Sequence, residues 1–111
     1  MPDRRTQWIR GVLDLCVLGT LRGGERYGYD IARRLEQAGL GRVKGGTLYP
    51  LLGRLEEAAL LTPEWRPGER GPGRKYYLLT DAGLELLDEA AAEWQAFAAQ
   101  TTELIQEKGT R

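Results

Sequence analysis

The sequence predicts a mainly α protein with one small β-hairpin, closed by a single long helix. Three observations carry that expectation. Residues 47–59 repeat apolar side chains at helical spacing beneath a polar face of unusual make-up. Residues 61–79 read as two extended runs around a loop rich in Gly and Pro. Residues 84–105 hold an unbroken heptad stripe.

Composition narrows the function classes. A chain of 111 residues is long enough for one modest core. Hydrophobic residues make up 41% and charged residues 29%, the balance of a globular protein in water. No apolar run reaches spanning length and no signal peptide opens the chain, so a cytoplasmic location without a membrane partner is expected. Cys16, the only cysteine, lies in an apolar helical run and reads as a buried, inert thiol. With no histidine and one cysteine, zinc sites of the usual kind and histidine general-base chemistry are excluded, and no cofactor or metal is expected. Paired carboxylates in an apolar setting and a phosphate loop are also missing, so the chain is not read as an enzyme.

Net charge is zero, yet it is unevenly placed. Residues 1–54 hold ten Lys/Arg against five Asp/Glu, residues 55–80 hold four of each, and residues 81–111 hold two against seven. A basic front half could meet phosphates while an acidic tail stays clear of them.

In chain order, residues 1–7 are polar and expected to fray, with Arg4 and Arg5 free to touch a phosphate backbone. Residues 8–21 read as one helix, apolar on most sides from Trp8 through Val12 and Leu15 to Leu21. So apolar a helix needs cover on more than one side, and in a small domain Val12 and Leu15 are expected to meet a second subunit. Arg22-Gly23-Gly24 ends it. Residues 27–38 form a second helix with Tyr27, Ile31, Leu35 and Ala38 on one face, stopped by Gly39. A short extended link brings Arg42 and Lys44 to the next helix, where they can reach flanking phosphates.

That third helix, about 47–60, is the centre of the reading. Leu48, Leu51, Leu52, Leu55 and Ala59 share one face, and Tyr49, Pro50, Gly53, Arg54 and Glu57 the other. A glycine inside a helix costs about 1 kcal/mol against alanine, tolerable where a bulky partner must approach the backbone. Thr47 is expected as N-cap, with Gly45-Gly46 as the turn and Pro50 within the first turn, where it does no harm. Amides at such an end suit a phosphate. Two helices and a turn leading into a helix with this outer face is helix-turn-helix order.

Residues 61–65 alternate Leu61, Pro63 and Trp65, with Trp65 assigned to the hydrophobic base of a hairpin; Tyr76-Tyr77-Leu78-Leu79 suits the returning strand. Between them Arg66, Arg70, Arg74 and Lys75 make a basic tip. A hairpin with a basic tip after a recognition helix is a wing, able to reach phosphates or the minor groove. The unit 1–80 is therefore read as a winged helix-turn-helix DNA-binding domain, with the wing at about 61–79.

Thr80 caps the last helix, and Asp81, Glu85, Asp88 and Glu89 suit the positive end of its dipole. Leu84, Leu87, Ala91, Trp94, Ala98, Thr101 and Ile105 step by 3 and 4 along it, widened by Leu86, Ala90, Phe97 and Leu104. Such a helix would run about 40 Å, more than a small winged core can cover. Residues 81–111 are thus read as a dimerisation helix, packed against its own copy.

These residues resemble a family. Gly46-Thr47-Leu48-Tyr49-Pro50 with Arg54-Leu55-Glu56, then the run from Gly71 to Thr80 with Gly83, resemble the two signatures of the PadR family of bacterial transcriptional regulators. Tyr27-Gly28-Tyr29-Asp30-Ile31 is similar to that family's second-helix motif. The resemblance covers about residues 8–100, and the single short C-terminal helix is that of the compact subgroup. Gly73 departs from it, standing where arginine or proline is usual.

The resemblance implies a homodimeric winged-helix repressor bound to an inverted-repeat operator in double-stranded DNA. It places Thr47, Tyr49 and Pro50 toward the groove, and Lys44, Arg54, Arg74 and Lys75 on backbone. It also implies that flat aromatic effectors can enter between subunits and stack on the last-helix tryptophan. Trp8, Trp94 and Phe97 therefore carry two open readings, an effector pocket and plain dimer core. A winged helix that binds proteins instead of DNA is the alternative function, and the charge polarity and basic wing favour DNA.

Overall fold

The computed structural model describes residues 3–68, 71–107 and 109. Helices α1 (Arg4–Ile9) and α2 (Leu13–Thr20) lead into a two-residue strand β1 (Arg26–Tyr27), then α3 (Gly28–Gln37) and α4 (Gly45–Glu57). A hairpin of β2 (Leu61–Arg66) and β3 (Arg74–Leu79) follows, and α5 (Asp81–Ile105) ends the fold. The sheet is antiparallel in the order β1-β3-β2, with Tyr27 opposite Tyr76 and Pro63 opposite Tyr77. This is a mainly helical winged fold with one long C-terminal helix.

The start of the chain differs from the expected single helix over residues 8–21. Asp3 caps α1, its Oδ1 accepting from the amides of Arg5 at 2.7 Å and Thr6 at 3.2 Å, so this segment is a helix and not a frayed end. Arg5 is bound as well, donating to the Gly39 carbonyl at 2.8 Å. At residues 10–12 the ladder tightens, the amides of Gly11 and Val12 turning back to Trp8 and Ile9. Val12 leaves helical geometry (φ −130°, ψ 3°), and its carbonyl then starts α2 by accepting from Cys16. Periodicity alone could not see this break, because both pieces are apolar.

The core gathers one face from each element except α1 and β1: Leu13, Val17, Leu18 and Leu21 from α2, Ile31 and Leu35 from α3, four leucines of α4, then Leu61, Tyr77 and Leu87. Strand β1 was not anticipated; two residues carry no periodic signal. Arg26 braces that corner, donating to the Thr20 carbonyl at 2.7 Å and to Asp30 Oδ2 at 3.0 Å. Cys16 is half-buried, and that burial, with Asp14 nearby, pushes its thiol pKa up, as an inert thiol requires.

Helix α4 ends earlier than the expected 60. Ala58 is the C-cap and Ala59 takes a left-handed φ of 61°, so Ala59 is exposed and leaves the apolar face. The Leu60 amide reaches back to the Leu55 carbonyl at 3.0 Å, a Schellman closure with alanine where glycine is usual. Thr80 stitches this corner to α5: its hydroxyl donates to the Ala59 carbonyl at 2.7 Å and accepts from the Gly83 amide at 2.9 Å. The approach is close enough that a Cβ on Gly83 would collide with the Leu60 carbonyl oxygen.

Beyond that corner α5 runs out from the domain. Arg22 ties it to the end of α2 through Asp88 at 2.8 Å, and Leu87 and Gly83 are its buried residues. The molecule measures 67 × 33 × 21 Å, its long axis far exceeding a sphere of this mass. None of the described helices is long and apolar enough to cross a membrane.

Candidate nucleic-acid interface

The amphipathic pattern of α4 sets the geometry of the site. Leu48, Leu51, Leu52 and Leu55 are buried; Thr47, Tyr49, Pro50, Gly53, Arg54 and Glu57 are exposed. The helix begins two residues earlier than expected, and this changes three roles. Lys44 is the N-cap, its carbonyl accepting from Thr47 and Leu48 at 3.0 and 2.9 Å. Thr47 is therefore not the cap, and Gly45-Gly46 are the first helical residues instead of a turn. Pro50 lies inside the helix, where its missing amide leaves the Gly46 carbonyl without an i+4 donor.

Tyr49 is 54% exposed but not free. Its ring lies over Gly28 at the start of α3: a Cβ there would sit 2.6 Å from Cε1 and 2.7 Å from the hydroxyl. Gly28 thus makes room for the aromatic that α4 presents. The Tyr-Gly-Tyr order at 27–29 held this signal, but a glycine's tenant cannot be read from sequence.

Between α3 and the start of α4 lies a groove of about 450 Å³ lined by Tyr29, Arg33, Glu36, Arg42, Val43, Lys44 and Tyr49. Three cations face one carboxylate there, so the groove favours an anion. Arg42 and Lys44 were expected near phosphates; Arg33 and Tyr29, on α3, were not, because their wheel position marks them only as solvent-facing. Arg33 lies 6.0 Å from the Tyr29 ring, and Tyr29 stacks on Tyr27 with centroids 6.3 Å apart. Among the described residues, no carboxylate makes an ion pair with Lys44 or Arg54.

The wing is more committed than a basic loop. Arg66 sits 4.4 Å over the Tyr76 ring and pairs with Glu25 at 2.7 Å and Glu64 at 3.2 Å. Arg74, though exposed, lies 4.6 Å over the Tyr27 ring. Lys75 meets Glu56 of α4, Nζ to Oε1 at 3.0 Å, as an ion pair off the axis of an aligned hydrogen bond. That contact with Glu56 holds the Lys75 pKa above the usual lysine value. Arg70 lies outside the described residues. Trp65, expected in the wing's apolar base, is 69% exposed: it lies opposite Lys75, beyond the reach of the core that covers Leu61 and Tyr77.

The residues expected between subunits divide. Leu87 is used by the core of its own chain, and Val12, Leu15 and Ala98 are half-buried. Leu84, Ala91, Trp94, Thr101 and Ile105 are exposed, Thr101 also returning its hydroxyl to the Phe97 carbonyl at 2.8 Å. Trp94 and Phe97 face each other at 6.1 Å with rings tilted by 43°, while Trp8, on α1, makes no ring pair with either among the described residues.

The model of the transcriptional regulator PadR-like family matches residues 17–89. Over 103 residues the chain is 32% identical to uncharacterised protein X of Lysinibacillus sphaericus, spanning 91% of both chains. The crystal structure of a PadR-like transcriptional regulator from Bacillus cereus is similar at a TM-score of 0.82 and 35% identity, over 92% of this chain and 99% of that one. A padr family transcriptional regulator from Eggerthella lenta is similar at 0.84 and 37% identity, over 93% and 89%. With an exposed polar face on α4, a cationic groove beside it and a hairpin wing after it, the chain belongs to the PadR-like family of transcriptional regulators, DNA-binding regulators and not enzymes.

Proposed function

We propose that the chain is a homodimeric repressor that reads an inverted-repeat operator. The observation that supports this best is the outward face of α4, where Thr47, Tyr49, Pro50 and Arg54 stand exposed beside the groove of Arg33, Arg42 and Lys44. In this reading Thr47, Tyr49 and Pro50 meet base edges, and Lys44, Arg54 and Arg74 meet phosphates. Two-fold symmetry sets the two α4 helices about 34 Å apart, one turn of duplex. The second copy covers α5, whose Trp94, Phe97, Leu104 and Ile105 are too apolar to be left in water. Trp94, Phe97 and the partner's surface then bound a cavity for a flat aromatic effector that releases the DNA, with Trp8 at its edge. The repressor sense follows the family resemblance.

The test is fluorescence anisotropy with a duplex from upstream of the chain's own gene and a random duplex of equal length. Tyr49→Ala weakens binding to the upstream duplex far more than to the random one; equal losses on both refute base reading. Titration with a panel of planar dyes quenches the tryptophan fluorescence of the wild-type chain more than that of Trp94→Phe if the cavity exists, and equal or no quenching by all of them counts against an effector there.

A further inference from the structure

Resting on the DNA reading above, we infer that Lys75 and Glu56 are positioning residues, an ion pair that fixes the wing against the recognition helix at the angle a duplex requires. The corner at residues 58–60 and the pairing of β3 with β1 at Tyr76 and Tyr77 fix the root of the hairpin, while Lys75 and Arg74, opposite Trp65 and Arg66, have no strand partner outside the hairpin. Further along β3, Lys75 returns to α4 and meets Glu56 at 3.0 Å, both side chains about one-third exposed. Seven residues separate Glu56 from Tyr49, so the two lie on one face of α4. Tyr77, buried and on the same face of β3 as Lys75, has the Lys75 Nζ 5.4 Å from its ring, so the lysine lies along the edge of the core. Strand alternation turns Arg74 to the other face of the sheet, where it rests on Tyr27. Consecutive cations of the wing thus hold it from both sides, one on α4 and one on β1. A lysine so engaged has little freedom to follow a phosphate, and a glutamate on a DNA-reading helix, otherwise repelled by phosphates, has a reason to be there.

The discriminating variant is Glu56→Gln. Electrostatics alone would make it bind DNA more tightly, since it removes a negative charge from the interface. The positioning role requires the reverse. If the freed wing holds the reading angle about a tenth of the time, affinity for the upstream duplex falls roughly tenfold. Lys75→Ala gives a similar loss with an unchanged slope of log affinity against log salt, whereas loss of a phosphate contact would lower that slope by about 0.9. The exchange Glu56→Lys with Lys75→Glu restores affinity, and hydrogen exchange of the β3 amides rises in each single variant and returns in the pair. Thermal melts confirm that each variant is folded at the assay temperature. Tighter binding by Glu56→Gln, or a lowered salt slope in Lys75→Ala, overturns the positioning role while leaving the DNA reading intact. Failure of the wild-type chain to bind either duplex overturns both.

Discussion

Residues 13–80 and helix α5 are built from similar apolar residues and treat them in opposite ways. In the first region the leucines of α2, α3 and α4 close on one another, and Leu52 is wholly buried. Along α5 only Leu87 among the large apolar residues is buried, while Leu104 and Ile105 are 71% and 76% exposed. One region covers its apolar residues with its own contacts; the other leaves them exposed, a surface whose free energy association would recover. The chain's charge follows the same division, with cations around the groove of α3 and α4 and acids along α5. In the proposed dimer this division would keep a DNA duplex and a second subunit on different faces.

The sharpest test of this contrast is truncation on each side. Leu52→Ala removes side-chain atoms from a closed core and should cost about 2–5 kcal/mol in urea unfolding. Leu104→Ala, measured where the chain is a single subunit, should cost less than about 0.5 kcal/mol. Comparable losses would mean that α5 is covered within its own chain. Next in size, Phe97→Glu puts a charge on the exposed stripe. Sedimentation should show self-association weakened at least a hundredfold, about 2.7 kcal/mol, with the fold retained. An unchanged assembly would place the second subunit elsewhere.

Two glycines extend the contrast to smaller effects. Gly83→Ala pushes a methyl group into the Leu60 carbonyl and should destabilise by about 1–3 kcal/mol. Gly53→Ala meets nothing within 4 Å and should stabilise by about 0.5–1 kcal/mol while weakening DNA binding, because the duplex needs the space. A Gly53→Ala chain that binds DNA as well as before would show that its gap serves no partner. Smallest is Ala59→Gly, which relieves the left-handed residue at the end of α4 and should raise stability by about 0.5–1 kcal/mol in thermal melts. A lower melting temperature would mean that the corner does not need glycine.

Much of the fold was legible because its signals are local. The four leucines of α4, the Thr80 cap and the break at Gly39 are set by residues within about one turn of each other. The misplaced boundaries were local too: α4 starts at Gly45 although glycine is a poor helix former, because the Lys44 carbonyl and the buried leucines outweigh that propensity. The division of residues 8–21 into α1 and α2 was hidden for the opposite reason, since every position there looked helical. In the site, Tyr49 and Arg54 were placed outward by spacing alone, and they are outward. Arg33 and Tyr29 escaped because nothing near them in sequence marks a groove.

Within α3 and α4 the sequence by itself determined most of which residues face inward and which outward, since periodicity acts over a few residues, while Ala59 and Trp65, at the end of a helix and out along the hairpin, did not follow it. Only the tertiary structure decided what each outward residue meets. Two neighbouring cations of the wing, alike as a string of letters, lie on opposite faces of a sheet, one on Tyr27 and the other on Glu56. Charge and ring contacts of that kind depend on how distant segments pack, and packing is fixed by the whole core at once.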